Sequence, residues 1–165
     1  MDILLIGSIA EDGVLKLISK NWDSICFRYA AGYISEGVSK LTAEFADDAA
    51  LKIMRDHDAD VFVIARQGIF QALYMLGENE GCGLKVWLDK IPIRQFCIET
   101  ADLCDVNPYH ISSLGCVLAC CNDGLKLVDK LEQAGYKSVI IGFTTEEKAR
   151  CVITEAGIQY LTPDR

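Results

Sequence analysis

Two short stretches of the chain carry residue types that could do chemistry. The first is Val61-Phe62-Val63-Ile64-Ala65-Arg66-Gln67-Gly68-Ile69-Phe70, an apolar run that feeds a helix through one glycine. A helix start offers unpaired backbone N–H groups and the positive end of the helix dipole to an anion, and Arg66 adds a charge-assisted donor. Arg66, Gln67 and Gly68 are therefore a candidate phosphate or anion site. Only one glycine is present, and neither a Walker nor a dinucleotide fingerprint occurs in the chain. Close packing at the helix start competes with ligand binding as the reason for Gly68. The second stretch is Asn107-Pro108-Tyr109-His110-Ile111-Ser112-Ser113-Leu114-Gly115. Here His110 is a candidate general base, Ser112 and Ser113 are candidate nucleophiles or phosphate ligands, and Asn107 opens the loop. No acid at a diagnostic spacing completes a triad and no G-x-S-x-G elbow exists, so a capped turn before a strand is the competing reading.

Other reactive side chains point to structure. The cysteines are Cys26, Cys82, Cys97, Cys104, Cys116, Cys120, Cys121 and Cys151, with no C-x-x-C and with His57 and His110 outside any metal-ligand spacing. Most stand in apolar runs, where reduced Cys packs as a small hydrophobe; a redox or metal role is the alternative. No metal site is expected. Asp47-Asp48, Glu146-Glu147 and Asp56 with Asp58 read as solvated faces and loops, since adjacent acids on a helix point in different directions.

The elements that must position these residues are short. Strands are expected at Asp2 to Ile6, Ser24 to Ala30, Val61 to Ala65, Leu84 to Leu88, Cys116 to Cys121 and Lys137 to Phe143, with a hairpin from Cys151 to Leu161 around Glu155-Ala156-Gly157. The run Val61 to Ala65 reads as a buried strand. Helices are expected at Glu11 to Lys20 and at Lys40 to Arg55, where Leu41, Phe45, Ala49 and Ile53 recur at fourfold spacing. Others run from Gly68 to Leu76, closed by Gly77 and Gly81-Cys82-Gly83, and from Pro92 through Cys104. Leu125 to Ala134 is another, stopped by Gly135. Gly32 to Gly37 reads as a loop, and Asn107-Pro108 opens a short turn through Ser112. Strands alternating with helices over 165 residues predict one α/β (α+β) domain, residues 1–165, built on a mixed sheet flanked by helices.

Composition bounds the function classes. With 16 basic and 24 acidic residues the net charge is −8, and there is no Lys/Arg cluster, which argues against a nucleic-acid backbone binder. The apolar run at the N-terminus is short and follows an acidic residue, unlike a signal peptide or membrane span. A cytoplasmic protein with no membrane association is expected.

Gly83-Leu84-Lys85-Val86-Trp87-Leu88-Asp89-Lys90-Ile91-Pro92-Ile93-Arg94-Gln95, then Asn107-Pro108-Tyr109, Ser112-Ser113-Leu114-Gly115 and Val139-Ile140-Ile141-Gly142, resemble the C-terminal domain of the AIR synthase superfamily. They look closest to AIR synthase-related proteins similar to the hydrogenase maturation factor that makes cyanide ligands. The resemblance runs from about Asp60 to Gly142 and extends toward Leu161. Before Asp60 it rests on element order and on Leu4-Leu5-Ile6-Gly7. It implies a mixed sheet flanked by helices, partly ferredoxin-like in topology. It also implies kinship with ATP-dependent enzymes that activate an amide or acid oxygen by phosphorylation, among them selenophosphate synthetase and formylglycinamidine ribonucleotide synthetase.

The same resemblance puts ATP and magnesium mainly on an N-terminal domain to which no segment here is similar, so no cofactor is expected for this chain alone. At the strand-to-helix junction the family usually has an Asp and then Gly-Gly. The Asp position falls here on Val63 and the first Gly on Gln67, while Gly68-Ile69-Phe70 matches. Val offers no acceptor, and Gln67 adds bulk where a backbone would approach a phosphate. The maturation factor ends in a carbamoyl-carrying cysteine, whereas these residues end Leu161-Thr162-Pro163-Asp164-Arg165. The resulting expectation is a catalytically degenerate binding or accessory module. Its candidate partners are a protein bearing an ATP-binding domain, a small phosphate-containing ligand, or another copy of itself. One half of a split ATP-dependent enzyme is the alternative.

Overall fold

The computed structural model describes residues 1–41 and 46–163. The elements follow in the order β1 (Asp2–Ile6), α1 (Glu11–Lys20), α2 (Trp22–Arg28), α3 (Ala31–Lys40), α4 (Asp48–Arg55), β2 (Asp60–Val63), α5 (Gly68–Asn79) and β3 (Gly83–Trp87). A 3-10 turn (Leu88–Lys90), α6 (Gln95–Leu103), β4 (Val117–Cys121), α7 (Gly124–Gln133), β5 (Ser138–Thr145), β6 (Arg150–Thr154) and β7 (Gly157–Tyr160) complete them. One sheet holds all seven strands in the order β2-β4-β1-β5-β3-β6-β7. Every pairing is antiparallel except β3 with β6, which makes the α/β sheet a mixed one.

The alternation of side chains along each strand builds two cores. Ile3 and Leu5 of β1 join Leu118 and Val86 on one face, beneath Ile69, Leu73 and Leu76 of α5. Leu4 and Ile6 point to the other face, where Val117 and Ala119 meet Met54 of α4 and Leu127 and Leu131 of α7. Central β1 is thus covered on both sides, and its apolar residues are buried. β1, α1, α5, α7 and the β6–β7 hairpin lie where hydrophobic periodicity puts them, and Gly135 closes α7 with φ 90°.

Five expectations are corrected. Ser24 to Ala30 is not a strand: the Asn21 N–H already bonds to the Leu17 carbonyl at 2.9 Å, and Ile25 bonds to Asn21 at 3.1 Å, so helical turns continue from α1 into α2. α2 buries only Ile25 and leaves Phe27 95% exposed; its aromatic and branched residues imitated a strand without having a sheet to join. Gly32 to Gly37 is helical rather than a loop, lying in α3. Lys40 to Arg55 is not one helix. Asp47 caps a separate α4 by accepting from the Ala50 N–H at 3.0 Å, and Phe45 lies outside the described residues. The helix expected from Pro92 starts only at Gln95, because the Pro92 carbonyl accepts from the Ile9 N–H at 2.9 Å and Ile9 bridges Ile93. Gly77, expected with Gly81-Cys82-Gly83 to close α5, lies within it, since the helix continues to Asn79 and Gly81 follows its C-cap with φ 63°.

The run Val61 to Ala65 is corrected as well. β2 is an edge strand rather than a buried one, with Val61 and Phe62 half-buried and Val63 60% exposed. A continuous apolar run marks a covered strand only when another strand pairs on each side, and among the described residues β2 has β4 alone.

Candidate functional site

The two stretches singled out in the sequence meet in space. Gly68 opens α5 with φ 81°, and a Cβ built there would fall 2.5 Å from the Tyr109 carbonyl oxygen and 2.8 Å from that of Ile111. Both the left-handed backbone and the close approach demand glycine. Next to it the Phe70 N–H donates to the Tyr109 carbonyl at 3.3 Å. The Phe70 ring stacks on Tyr109 with centroids 5.0 Å apart and meets His110 edge-on at 5.3 Å. The loop carrying His110 therefore lies on the start of α5.

This contact uses up part of the anion cradle. The Gly68 N–H faces the Ala65 carbonyl at 3.4 Å and the Phe70 N–H is taken by Tyr109. Arg66 and Gln67 stand exposed beside them, and Gln67 occupies the N-cap position without a side-chain cap bond. Between β2 and α5 lies a cleft of about 210 Å³, lined by Phe62, Val63, Ala65, Gln67, Gly68, Gln71, Ala72 and Met75. The junction thus places exposed Arg66 between Ala65 and Gln67, two of the residues that line a mainly apolar cleft.

From His110 the loop continues to α1. The Ser113 hydroxyl accepts from the Ala10 N–H at 2.8 Å, and the Ser112 carbonyl accepts from the Gly13 N–H at 2.9 Å. Ala10 itself is left-handed, with φ 69°. The Ser112 hydroxyl donates to Asp12. Both serines are buried, and their polar atoms serve the first turn of α1 rather than facing solvent. Asn107 holds the loop's own start, its side-chain oxygen accepting from the Tyr109 N–H at 3.0 Å.

Sequence reasoning missed three residues here: Glu11, Asp12 and Arg94. Glu11 is 3% exposed and pairs with Arg94, whose Nε lies 2.6 Å from its carboxylate. Asp12 accepts from Lys16 at 2.7 Å as well as from Ser112. Burial raises the Asp12 carboxyl, but bonds from Lys16 and Ser112, with the charges of Lys16 and Arg66, outweigh it and hold the pKa below 3.8. Acids in a first helical turn look like ordinary dipole complements in sequence. The signal that could have marked these was a buried Glu position followed, far along the chain, by an Arg in the most family-like stretch.

The arrangement can bind and position; it does not expose a nucleophile beside a base. Among the described residues no group of three or more His, Cys, Asp or Glu could hold a metal ion. No helix among them is long and apolar enough to cross a membrane. All eight cysteines are free, with Cys97, Cys116, Cys120, Cys121 and Cys151 buried, Cys82 and Cys104 half-buried and Cys26 exposed. Burial pushes the thiols of Cys97, Cys116 and Cys120 up to about 12.

No family model and no curated protein sequence matches the chain. Solved structures do. HypE in a HypE–HypF complex superposes with a TM-score of 0.78 at 16% identity, over 99% of this chain and 52% of that one. HypE from E. coli, a hydrogenase maturation protein, gives 0.76 at 14% identity, over 99% and 49%. PurL from T. maritima, complexed with FGAR, gives 0.58 at 13% identity, over 96% and 26%. The fold is AIR synthase-like.

The AIR synthase-like fold takes in the residues before Asp60 as well, where the sequence resemblance rested on element order and on Leu4-Leu5-Ile6-Gly7. The chain spans about half the length of the HypE structures it matches.

Proposed function

We propose that this chain is a cytoplasmic binding or accessory module of an AIR synthase-like assembly, catalytically degenerate on its own. The observation that carries the reading is the β2–α5 junction. Val63, where the resemblance expects an Asp, is 60% exposed and has no acceptor to offer a metal or phosphate. Gln67 stands where the first glycine would be, and Gly68 is consumed by the approach of Tyr109. An anionic group reaching this junction would meet Arg66, Gln67 and the start of α5, with the His110 loop as the floor behind them. Ligands of the kind its fold neighbours handle are phosphate-containing: one PurL structure holds FGAR and another holds ATP. Hydrogenase maturation or purine-type ATP chemistry is the setting that those neighbours suggest.

Titration calorimetry with ATP and magnesium tests the reading. The chain alone should give no binding in the micromolar range and no ATP turnover; either one overturns it.

A second reading is favoured by one observation, that the chain covers about half of each HypE neighbour. On that reading it is one half of a split enzyme whose ATP-binding half is a separate polypeptide. Co-purification from the native cell separates the two. A recovered ATP-binding partner that gains activity on mixing establishes the split enzyme, and repeated recovery without one leaves the accessory module.

A further inference from the structure

Among the described residues, strand β2 is hydrogen-bonded on one side only, to β4. The Ile64 N–H donates to the Cys116 carbonyl at 3.0 Å, and with the register Val63↔Val117 and Phe62↔Leu118 this aims the backbone groups of Phe62 and Asp60 at β4. The N–H and C=O groups of Val61 and Val63 consequently face outward, with no strand of the described residues beside them. Alongside runs the cleft of about 210 Å³ between β2 and α5, with Val63 60% and Met75 41% exposed at its rim. An edge strand next to a helix-walled apolar cleft is the geometry in which an extended peptide adds as a strand and drops alternate side chains into the cleft.

Charge polarises this edge. At one end Arg66 is exposed beside the start of α5, whose first turn holds no acid. Arg66 also acts on Asp12, which Lys16 and Ser112 already engage. At the other end stand Asp60, exposed, and Glu80 at the C-cap of α5, both near enough to act on the Cys120 thiol. The last turn of α5 holds no base. The helix dipole adds to the contrast, positive at Arg66 and negative at Glu80. β2 itself, Asp60–Val63, spans about 13 Å, and Arg66 follows in the turn that leads into α5.

We propose that β2 and the α5 cleft take up an extended segment of a partner protein as an added strand. Its backbone bonds to Val61 and Val63, an apolar side chain enters the cleft, a carboxylate meets Arg66 and a base meets Asp60. The proposal rests on the accessory-module reading and names the chemistry of the partner. A second copy suits the edge less well. Two chains of net charge −8 repel.

The test uses the isotope-labelled full chain and two synthetic probes, acetyl-Lys-Thr-Val-Thr-Val-Asp-amide and its reversed sequence, which cover both strand directions. One of them should shift the Val61 and Val63 amide resonances with a dissociation constant of about 10–100 μM. N-methylating alternate amides of that probe, which leaves the protein untouched, should weaken it about tenfold or more. Exchanging its Lys and Asp should weaken it similarly, and the double variant Arg66→Glu with Asp60→Lys should recover the exchanged probe. Three results overturn the proposal: no shift at these amides up to about 1 mM of either probe, binding indifferent to N-methylation, or shifts that follow protein concentration alone, which would assign the edge to a second copy. ATP titration remains a separate measurement. Failure of the probes with no ATP binding removes strand addition and leaves the accessory module standing.

Discussion

Gly68 and Tyr109 touch so closely that no side chain fits between them: a Cβ on Gly68 would lie 2.5 Å from the Tyr109 carbonyl oxygen, at φ 81°. This contact joins the two stretches that chemistry alone would have kept as separate sites. Gly68→Ala should therefore lower the unfolding free energy by about 2–4 kcal/mol, from left-handed strain and overpacking together. Urea denaturation of the two proteins checks it. An unchanged midpoint would mean that the loop is not seated on α5.

Glu11 and Arg94 form the most deeply buried ion pair of the site, with their side chains 4% and 31% exposed. Arg94→Met removes the guanidinium from the buried Glu11 carboxylate and should cost about 2–4 kcal/mol. Replacing both, Glu11→Leu with Arg94→Met, should cost distinctly less, because no charge is then left unpaired. A double-mutant cycle by chemical denaturation reads the difference.

Asp12 ties stability to acid. Its folded pKa lies below the ordinary 3.8, so its contribution is fully present above that value and is lost as pH falls through the folded pKa. The stability gap between the native chain and Asp12→Asn should stay constant from about pH 7 to pH 5 and shrink at lower pH. Ser112→Ala, which removes one bond to the carboxylate, should reduce the gap at neutral pH. Urea midpoints measured across this range test both.

The thiols should divide by burial. Cys97, Cys116 and Cys120, pushed up to about 12 by burial, should resist iodoacetamide near pH 8 in the folded chain, whereas exposed Cys26 should react first. Intact-mass analysis should show one rapid adduct that Cys26→Ser abolishes. Rapid modification of several thiols would reopen a redox role.

Much of the fold could be read from residue patterns because those patterns record local rules. α5 announces itself through Ile69, Leu73 and Leu76, which recur at helical spacing and are all buried. β3 alternates buried Leu84 and Val86 with half-buried Lys85 and Trp87. The failures share a cause. α2 and α3 contribute few residues to the core, Ile25, Ile34 and Gly37, and an element that buries so little has little periodicity to display. β2 misled for a different reason, since an apolar run tells that a strand is favoured but not how many neighbours it has.

By itself the sequence determined a chain with an AIR synthase-like resemblance, a mixed α/β sheet, core cysteines and a junction lacking its acidic residue and first glycine. The sheet and the core cysteines follow from residue type and from spacing along a few turns, whereas the missing acid and glycine are what the resemblance implies. Only the tertiary structure decided that Gly68 serves Tyr109, that Ser112 and Ser113 serve the start of α1 and that β2 is an edge with Val63 in solvent. Ser112 and Asp12 are separated by 100 positions and Arg94 and Glu11 by 83. Contacts at that range arise when the sheet order brings distant segments together, and no local period encodes them.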